Sequence, residues 1–217
     1  MTPALAHAGV MDRIYRHQRH IYDLTRRYYL LGRNDLVAAL KPPPDGTVLE
    51  IGCGTARNLI LTARRYPQTR LFGLDLSSEM LKSADATVTR NGFGSRIKLA
   101  QGDATCFDTG ELFATTGFDR VFLSYSLSMI PAWETALCQA MQAVRPGGEL
   151  HVIDFGQQAG LPRWFGNGMH GWLKRFHVTP RKSLGDAMAT LAADHDASVN
   201  FSSLYRDYAR IGVIARR

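Results

Sequence analysis

The sequence is poor in cysteine and has no long apolar run. Its three cysteines, Cys53, Cys106 and Cys138, are an odd number and form no CxxC pair. That usage argues against a disulfide framework or a zinc site and favours reduced thiols in a cytosol, so no metal is expected. No stretch approaches the roughly 18 apolar residues that span a bilayer. No basic cluster precedes the first apolar stretch, so no cleaved signal peptide is expected.

Internal repeats and low-complexity linkers are also missing, and acidic residues are too few to balance the basic ones. The 217 residues, 45% hydrophobic and 21% charged, suit one globular domain. The 26 Lys and Arg against 19 Asp and Glu give a formal net charge of +7. A basic protein favours polyanionic partners, which here means a nucleic acid, an anionic membrane or an acidic substrate.

From residue 47 onward, short apolar stretches alternate with helical patterns. Predicted strands cover 47–51, 70–74, 97–100, 118–124 and 149–154, and predicted helices cover 56–66, 77–90 and 133–144, with Ser77 as an N-cap. This alternation predicts an α/β fold with a mostly parallel sheet covered on both faces. Two more predicted strands, 199–205 and 208–215, are too close together for a helix between them, so a closing antiparallel hairpin is expected.

Residues 9–40 have the pattern of an added N-terminal helical segment, which ends at Pro42–Pro44. Apolar and aromatic side chains recur there at seven-residue spacing, with Ile14, Ile21 and Tyr28 in one column and Tyr15, Tyr22 and Tyr29 in another. Arginines fall mostly on the opposite face: Arg13, Arg16, Arg19, Arg26, Arg27 and Arg33. A basic amphipathic helix of this kind suits a membrane surface.

The strongest local signal is the segment VLEIGCGTA at 48–56, in which a buried strand runs into a glycine turn and then a helix. Gly52 and Gly54 allow the backbone to pass close to a ligand where a Cβ would clash. Arg57 stands where a GxGxxG dinucleotide motif would have its last glycine, so that motif fails. Taken alone, the pattern is equally that of a tight strand-to-helix turn.

Two carboxylates follow the next two predicted strands. Asp75 ends the second strand, twenty-one positions after Gly54, where it can accept hydrogen bonds from both hydroxyls of a ribose. Asp103 follows the third strand, where it can accept a hydrogen bond from an adenine amino group. The alternatives are a helix N-terminal charge for Asp75 and a loop-capping aspartate for Asp103.

With these residues in place, the chain resembles the class I S-adenosylmethionine-dependent methyltransferases. The segments VLEIGCGTA, GLDLS, GDAT, FDRVFLSYSLS and VRPGGELHVIDF occur in that family's order and cover about residues 47–156. The resemblance implies a single Rossmann-like domain with a seven-stranded sheet and a cofactor, S-adenosylmethionine. One departure is Ala56, where the family often has a third glycine; a tighter turn is expected there.

Residues 1–217 are thus expected to form one domain, with a helical lid at 9–40, a cofactor-binding core at 47–154 and an acceptor- and membrane-facing part at 155–217. The cofactor residues that the resemblance implies are Tyr22, Tyr29, Arg33, Glu50, Gly52, Cys53, Gly54, Asn58, Asp75, Leu76, Met80, Gly102, Asp103, Ala104, Ser124 and Tyr125.

The flanking segments at 15–33, 124–131 and 176–181 look like those of the bacterial diacylglyceryl-homoserine N-methyltransferases of betaine-lipid synthesis. That resemblance implies transfer of three methyl groups to the amine of a homoserine lipid headgroup. The alternatives are a phosphatidylethanolamine N-methyltransferase, a methyltransferase acting on a quinone, RNA or another acceptor, and a non-catalytic cofactor- or membrane-binding module.

The amine must lose a proton before it attacks the methyl group, and Tyr22, Tyr125 and His177 are the candidate catalytic residues. For the tyrosines the alternative is packing of the helix onto the sheet, and for His177 it is a structural loop histidine. Tyr205 is a weaker candidate for lining the pocket. Aromatic faces would also suit a quaternary product through cation–π attraction.

Charge placement favours a lipid partner. No acidic residue occurs between Phe155 and Gly185, a stretch in which basic residues alternate with tryptophan and phenylalanine. The residues expected at the membrane or headgroup are Arg16, Arg19, Arg26, Arg27, Arg163, Lys174, Arg175 and Arg181. The expectation is a cytoplasmic enzyme on the inner membrane surface, without a nucleic-acid partner, associated with the enzyme that forms the homoserine lipid.

Overall fold

The computed structural model describes residues 30–217. The helices of this range are α1 (Arg33–Ala39), α2 (Arg57–Arg65), α3 (Ser78–Arg90), α4 (Thr109–Phe113), α5 (Trp133–Gln142), α6 (Arg163–Arg175) and α7 (Leu184–Asp194). The strands are β1 (Thr47–Ile51), β2 (Arg70–Asp75), β3 (Ile97–Gln101), β4 (Phe118–Ser124), β5 (Val144–Phe155), β6 (Ser198–Leu204) and β7 (Ala209–Ala215).

The strands form one sheet in the order β3-β2-β1-β4-β5-β7-β6. Strands β1 to β5 are parallel, and β7 pairs antiparallel with both β5 and β6. The chain moves outward from β1 to β3 and then returns to place β4 on the other side of β1. In open α/β sheets such a reversal leaves a crevice at the carboxyl ends of the strands, where ligands bind.

A hydrophobic core lies on each face of the sheet. One contains α5 and α7 side chains such as Leu137 and Met188, and the other contains α1, α2 and α3 side chains such as Leu36, Leu59 and Val88. Because β1 is buried along its whole length, its sequence TVLEI is almost continuously apolar. The core thus fixes the strand that carries the glycine turn.

The predicted α/β fold with a C-terminal antiparallel hairpin is confirmed. All seven predicted strands are present, and Ser77 caps α3 by accepting a hydrogen bond from the Met80 amide at 3.3 Å. Strand β5 begins five residues earlier than predicted, because the segment from Val144 to Gly148 already runs beside β4 with a register shift. Helices α4, α6 and α7 were not predicted. Within residues 30–217 no helix is long and apolar enough to cross a membrane.

Only the end of the predicted N-terminal segment lies in the described range. Helix α1 stops at Ala39, before the three prolines, as predicted. The residues preceding it are packed closely: a Cβ on Gly32 would lie 2.7 Å from Ile153 Cδ1 and 3.2 Å from Leu204 Cδ1. The amphipathic helix predicted for the earlier residues, and its seven-residue columns, lie outside the described residues.

Candidate active site

The glycine turn follows β1 at the carboxyl edge of the sheet. The amides of Gly52 and Cys53 both donate to the Leu74 carbonyl, at 2.8 and 3.0 Å, which holds the turn against β2. Gly52 has φ +74°, and a Cβ there would lie 2.7 Å from the Ser126 Cβ. Glycine is required at Gly52 because the loop after β4 passes directly over it.

Asp75 is oriented by the two backbone turns on either side of it. Its Oδ2 accepts a hydrogen bond from the Gly54 amide at 2.7 Å, and its Oδ1 accepts one from the Ser77 amide at 3.0 Å. The half-exposed Asp75 therefore links the glycine turn to the start of α3 and has the geometry expected of a ribose-binding carboxylate.

Asp103, after β3, has the Asx-turn geometry of a loop-capping aspartate. Its Oδ1 accepts hydrogen bonds from the amide and the hydroxyl of Thr105, both at 2.8 Å. These bonds use only one oxygen, and in the described part of the chain none is directed to Oδ2. The capping interpretation and the adenine-binding interpretation are therefore compatible.

Glu50 and Asn58 are buried and support the glycine turn from below. The Asn58 side-chain amide donates to Glu50 Oε1 at 2.7 Å, which joins β1 to α2. Cys53 is also buried, and burial together with the nearby Asp75 and Glu50 carboxylates raises the pKa of its thiol well above the ordinary value. Its sulfur therefore stays protonated and acts as a small apolar group rather than as a nucleophile.

The remaining predicted cofactor residues in the described range are Arg33, Leu76, Met80, Gly102, Ala104 and Ser124. At Gly102 a Cβ would lie 2.7 Å from Leu74 Cδ1, so core packing also favours glycine there, and its contact with the cofactor stays a prediction. Arg33 is buried at the start of α1, where its Nε donates to the Leu30 carbonyl at 3.2 Å. Leu76, Met80, Ala104 and Ser124 follow or end strands at the carboxyl edge.

Tyr125 follows β4 in a left-handed conformation with φ +57° and is buried. Its hydroxyl donates to the Leu31 carbonyl, and its ring packs against Phe155 with centroids 4.7 Å apart. Burial raises the pKa of this hydroxyl far above its ordinary value. Because its proton is donated to a carbonyl, the geometry favours the packing alternative, and a role of the hydroxyl in orienting the acceptor amine stays a prediction.

An apolar wall stands next to the carboxylates. Met80 on the first turn of α3 contacts Met129 from the loop after β4 and Phe176 at the end of α6. Trp172 packs on Phe176 with ring centroids 4.9 Å apart. We call Met80, Met129 and Phe176 the apolar wall. Of these three residues only Met80 was predicted from the sequence. Met129 and Phe176 lie in the flanking segments that carry the resemblance, but no spacing pattern marks them as pocket residues.

Arg181, which was predicted at the membrane or headgroup, is bound within the protein, and a membrane contact for it stays a prediction. Its Nε donates to the Leu127 carbonyl at 3.1 Å and its Nη2 to the Ile130 carbonyl at 2.7 Å, so it binds the loop after β4. Arg163, Lys174 and Arg175 do lie on the exposed face of α6. His177 and Tyr205 are exposed, and the Tyr205 hydroxyl donates to Asp35 Oδ2 at 2.7 Å.

Tyr22, Tyr29, Arg16, Arg19, Arg26 and Arg27 lie outside the described residues, and their roles stay predictions. In residues 30–217 no group of three or more His, Cys, Asp or Glu side chains is placed to hold a metal ion. The site that remains consists of two parts: carboxylates around a glycine turn, and the apolar wall beside them.

This arrangement fits S-adenosylmethionine. The turn at Gly52 and Gly54 leaves the backbone without side chains at the carboxyl edge, and Asp75 is held by backbone amides in a fixed orientation toward that edge. Glu50, Asp75 and Asp103 give the edge a negative charge, which suits the positive sulfonium and amino groups of the cofactor.

Comparisons with known proteins agree with this geometry. A methyltransferase domain family matches residues 48–148. The demethylmenaquinone methyltransferase of Desulfitobacterium hafniense (strain Y51) is 30% identical over 193 residues, which is 85% of this chain and 72% of that protein. The trans-aconitate 2-methyltransferase of Deinococcus radiodurans is 32% identical over 118 residues, which is 54% of this chain and 41% of that protein.

A solved structure has the same fold with the cofactor bound. It is phosphoethanolamine N-methyltransferase 2 of Haemonchus contortus in complex with S-adenosyl-L-methionine, with a TM-score of 0.68, 16% identity, and coverage of 86% of this chain and 52% of that chain. The present chain spans about half the length or less of this protein and of the trans-aconitate enzyme. None of these relatives is named as a betaine-lipid enzyme.

Proposed function

The chain belongs to the class I S-adenosylmethionine-dependent methyltransferases, and we propose that it methylates the polar end of a small acceptor molecule with a lipid-like body. The cofactor is S-adenosylmethionine, and small-molecule methylation follows from the family. The lipid-like body of the acceptor is the step proposed here. It is supported by one observation: Met129 and Phe176 pack against Met80, whose amide donates to Ser77, the residue that in turn donates to the Asp75 carboxylate.

The division of labour in the site follows from its two parts. The glycine turn with Asp75 and Asp103 binds and orients the cofactor, which supplies an activated methyl group when bound. The apolar wall excludes water and fixes the acceptor, so most of the rate comes from alignment rather than from an acid or base. His177 follows Phe176 directly and is the candidate in the described range for accepting the acceptor's proton.

Two acceptors have a polar reacting end and a lipid-like body. The flanking segments favour the amine of a diacylglyceryl-homoserine headgroup. The relative from Desulfitobacterium favours the ring of a demethylmenaquinone-like molecule. The aromatic rings of Trp172 and Phe176 suit either one, since they can stack on a quinone or attract a methylated ammonium by ~0.5–2 kcal/mol.

The outer face of α6 supports a membrane as the source of this acceptor. Arg163, Trp164, Lys174 and Arg175 are exposed on it, and Trp164 is 77% exposed. Basic residues with an exposed tryptophan suit the headgroup layer of an anionic membrane. A lipid-borne acceptor would then reach the apolar wall at Phe176, where the same helix ends.

The test is methyl transfer from labelled S-adenosylmethionine by the purified full chain to four acceptors. These are diacylglyceryl-homoserine, phosphatidylethanolamine and reduced demethylmenaquinone in mixed micelles, and trans-aconitate as the lipid-free control. We expect product by mass spectrometry from one of the lipid-bodied acceptors and none from trans-aconitate. Transfer to trans-aconitate alone would overturn the proposal.

A matched pair of variants tests whether the apolar wall holds the acceptor. Phe176→Ala should raise the acceptor KM about tenfold or more, because it removes a ring that packs against Met80 in the apolar wall. Phe93→Ala, at a half-buried site after α3 at the opposite edge of the sheet, should leave that KM unchanged. Equal effects of both variants would mean that Phe176 acts only through stability.

A further inference from the structure

Two distant segments of the chain are bound together at the acceptor side of the site. One is the loop after β4, residues 125–132, and the other follows α6, residues 176–183. The Thr179 amide donates to the Ser128 carbonyl at 2.8 Å. Arg181 donates to the Leu127 and Ile130 carbonyls, at 3.1 and 2.7 Å, on either side of that contact.

A buried carboxylate holds the same loop from the other side. Asp154, near the end of β5, is fully buried, and its Oδ2 accepts a hydrogen bond from the Ser128 amide at 2.9 Å. Burial raises the pKa of Asp154 to about 6, while hydrogen bonds to the carboxylate and the charge of Arg181 oppose the rise. At neutral pH the carboxylate is therefore mostly ionised and is a strong acceptor for the Ser128 amide.

The bonds converge on the part of the loop that carries Met129. Leu127, Ser128 and Ile130 are each held by Arg181, Thr179 or Asp154, and Met129 lies between them. Its side chain packs against Met80, as does that of Phe176. The Arg181 guanidinium also lies 5.8 Å from the Trp133 ring centroid, at the start of α5. One forked cation thus connects the loop, the segment after α6, and α5.

We infer that Arg181, with Asp154, is a positioning residue that joins these two segments into a single acceptor-binding unit. The guanidinium fork fixes Met129 and Phe176 relative to Met80, and so sets the width of the apolar wall. Because an arginine can donate to two carbonyls at once and a lysine cannot match that planar geometry, the role depends on the fork and not only on the charge. Reading the wall as the acceptor site rests on the proposed function; the joining of the segments does not.

The experiment compares Arg181→Ala and Arg181→Lys with Lys182→Ala. Lys182 is the adjacent exposed cation, so this control removes the same charge from the same segment. Hydrogen exchange of the Ser128 and Thr179 amides is measured in each full-length protein. The cofactor Kd, the acceptor KM and kcat are then measured in solution.

We expect both Arg181 variants to exchange these two amides about tenfold faster or more than the wild type, while Lys182→Ala does not. The acceptor kcat/KM should fall up to about a hundredfold, mainly through KM, because a wall displaced by about 1 Å no longer aligns the acceptor. The Kd for S-adenosylmethionine should change much less than the acceptor KM, since Arg181 binds the loop at Leu127 and Ile130 and makes no direct contact with the glycine turn.

Wild-type exchange rates in Arg181→Lys would overturn the role of the fork, and equal losses in Lys182→Ala would reduce the effect to surface charge. If none of the acceptors is methylated even by the wild type, the proposed function fails while the exchange data still decide the inference. Should Arg181→Ala not fold, Arg181→Lys and the protection of the wild-type amides decide it.

Discussion

At the scale of single residues, Asp75 is the side chain on which cofactor binding depends most. Its two oxygens accept amides from Gly54 and Ser77, so the site is preorganised before any ligand arrives. Substitution by alanine would release both amides and disturb the glycine turn as well as the ribose contacts. Asparagine is the sharper test, because it keeps the size of the side chain.

Asp75→Asn should weaken S-adenosylmethionine binding by roughly 1.5–3 kcal/mol, the range for a hydrogen bond to a charged group. The reason is that an amide keeps one acceptor oxygen and points a donor at a second donor. Isothermal titration measures the Kd, and Asp85→Asn, on the exposed face of α3, is the matched control. A Kd equal to that of the wild type would remove Asp75 from the cofactor site.

Ala56 is a residue whose strained turn could be predicted from the sequence. The missing third glycine predicts a tighter turn, and the structure places Ala56 in the left-handed region with φ +63°, buried at the start of α2. That conformation costs an alanine about 1–2 kcal/mol. The residue type thus indicated where the backbone is strained. It did not indicate that a Cβ on Gly52 would lie too close to Ser126, or one on Gly102 too close to Leu74.

At the scale of elements, α6 is a helix that the sequence pattern did not predict. Its segment RWFGNGMHGWLKR contains three glycines, each costing about 1 kcal/mol in a helix interior. Packing overrides this cost, because Phe165, Met169 and Leu173 lie against the core. Gly166 is buried with them, whereas the two other glycines and the charged side chains are exposed. Rings in contact lead inward from its exposed end: Trp164, Phe165, Tyr208, Phe155 and Tyr125.

The outer face of α6 should bind anionic membranes. Replacing Arg163, Lys174 and Arg175 with glutamine should lower binding to phosphatidylcholine vesicles containing phosphatidylglycerol about a hundredfold, since each charge near the surface contributes about 1 kcal/mol. Vesicle sedimentation at low salt measures it. The control replaces Arg65, Arg70 and Arg90, which are exposed at the opposite edge of the sheet and carry the same total charge.

Two outcomes would contradict this role for α6. Equal losses in the control variant would reduce the effect to net charge. An undiminished affinity in the α6 variant, together with a loss on replacing Arg16, Arg19, Arg26 and Arg27, would assign the membrane contact to the N-terminal segment instead. Preferential binding of RNA over vesicles by the wild type would redirect the basic surface to nucleic acid.

At the scale of the whole molecule, the sheet was predictable because each strand that is buried on both faces is a short apolar run between helical patterns. The strand order follows from the family resemblance and not from the runs themselves. Contacts between distant segments, such as Arg181 with the loop after β4, left no local signal in the sequence. An arginine in a basic stretch is typical of a solvated surface, and only the folded chain shows that its partners are carbonyls.

Three carboxylates outside the site make the fold sensitive to acid. A hydrogen bond from His151 lowers the pKa of Glu149. Although partial burial alone would raise them, hydrogen bonds from Thr47 lower the pKa of Asp119 and those from Arg210 lower the pKa of Asp207. A carboxylate whose pKa is lowered in the folded protein stabilises the fold above its ordinary pKa of about 4. This contribution to stability is lost as the pH falls further.

The pKa of Asp154 is shifted upward instead, and its effect on stability can be separated from that of the three other carboxylates. Its folded-state pKa of about 6 lies above the ordinary value of 3.8. Above pH 6 the buried carboxylate is ionised, which disfavours the fold. Between pH 6 and about 4 it becomes protonated in the folded protein, and this cost is relieved. The free energy of unfolding of the wild type, minus that of Asp154→Asn, should therefore increase by about 2 kcal/mol from pH 8 to pH 4. Urea unfolding at a series of pH values measures both proteins, and the subtraction removes the titration of Glu149, Asp119 and Asp207. A difference independent of pH would mean that the pKa of Asp154 in the folded protein is close to its ordinary value, despite its burial.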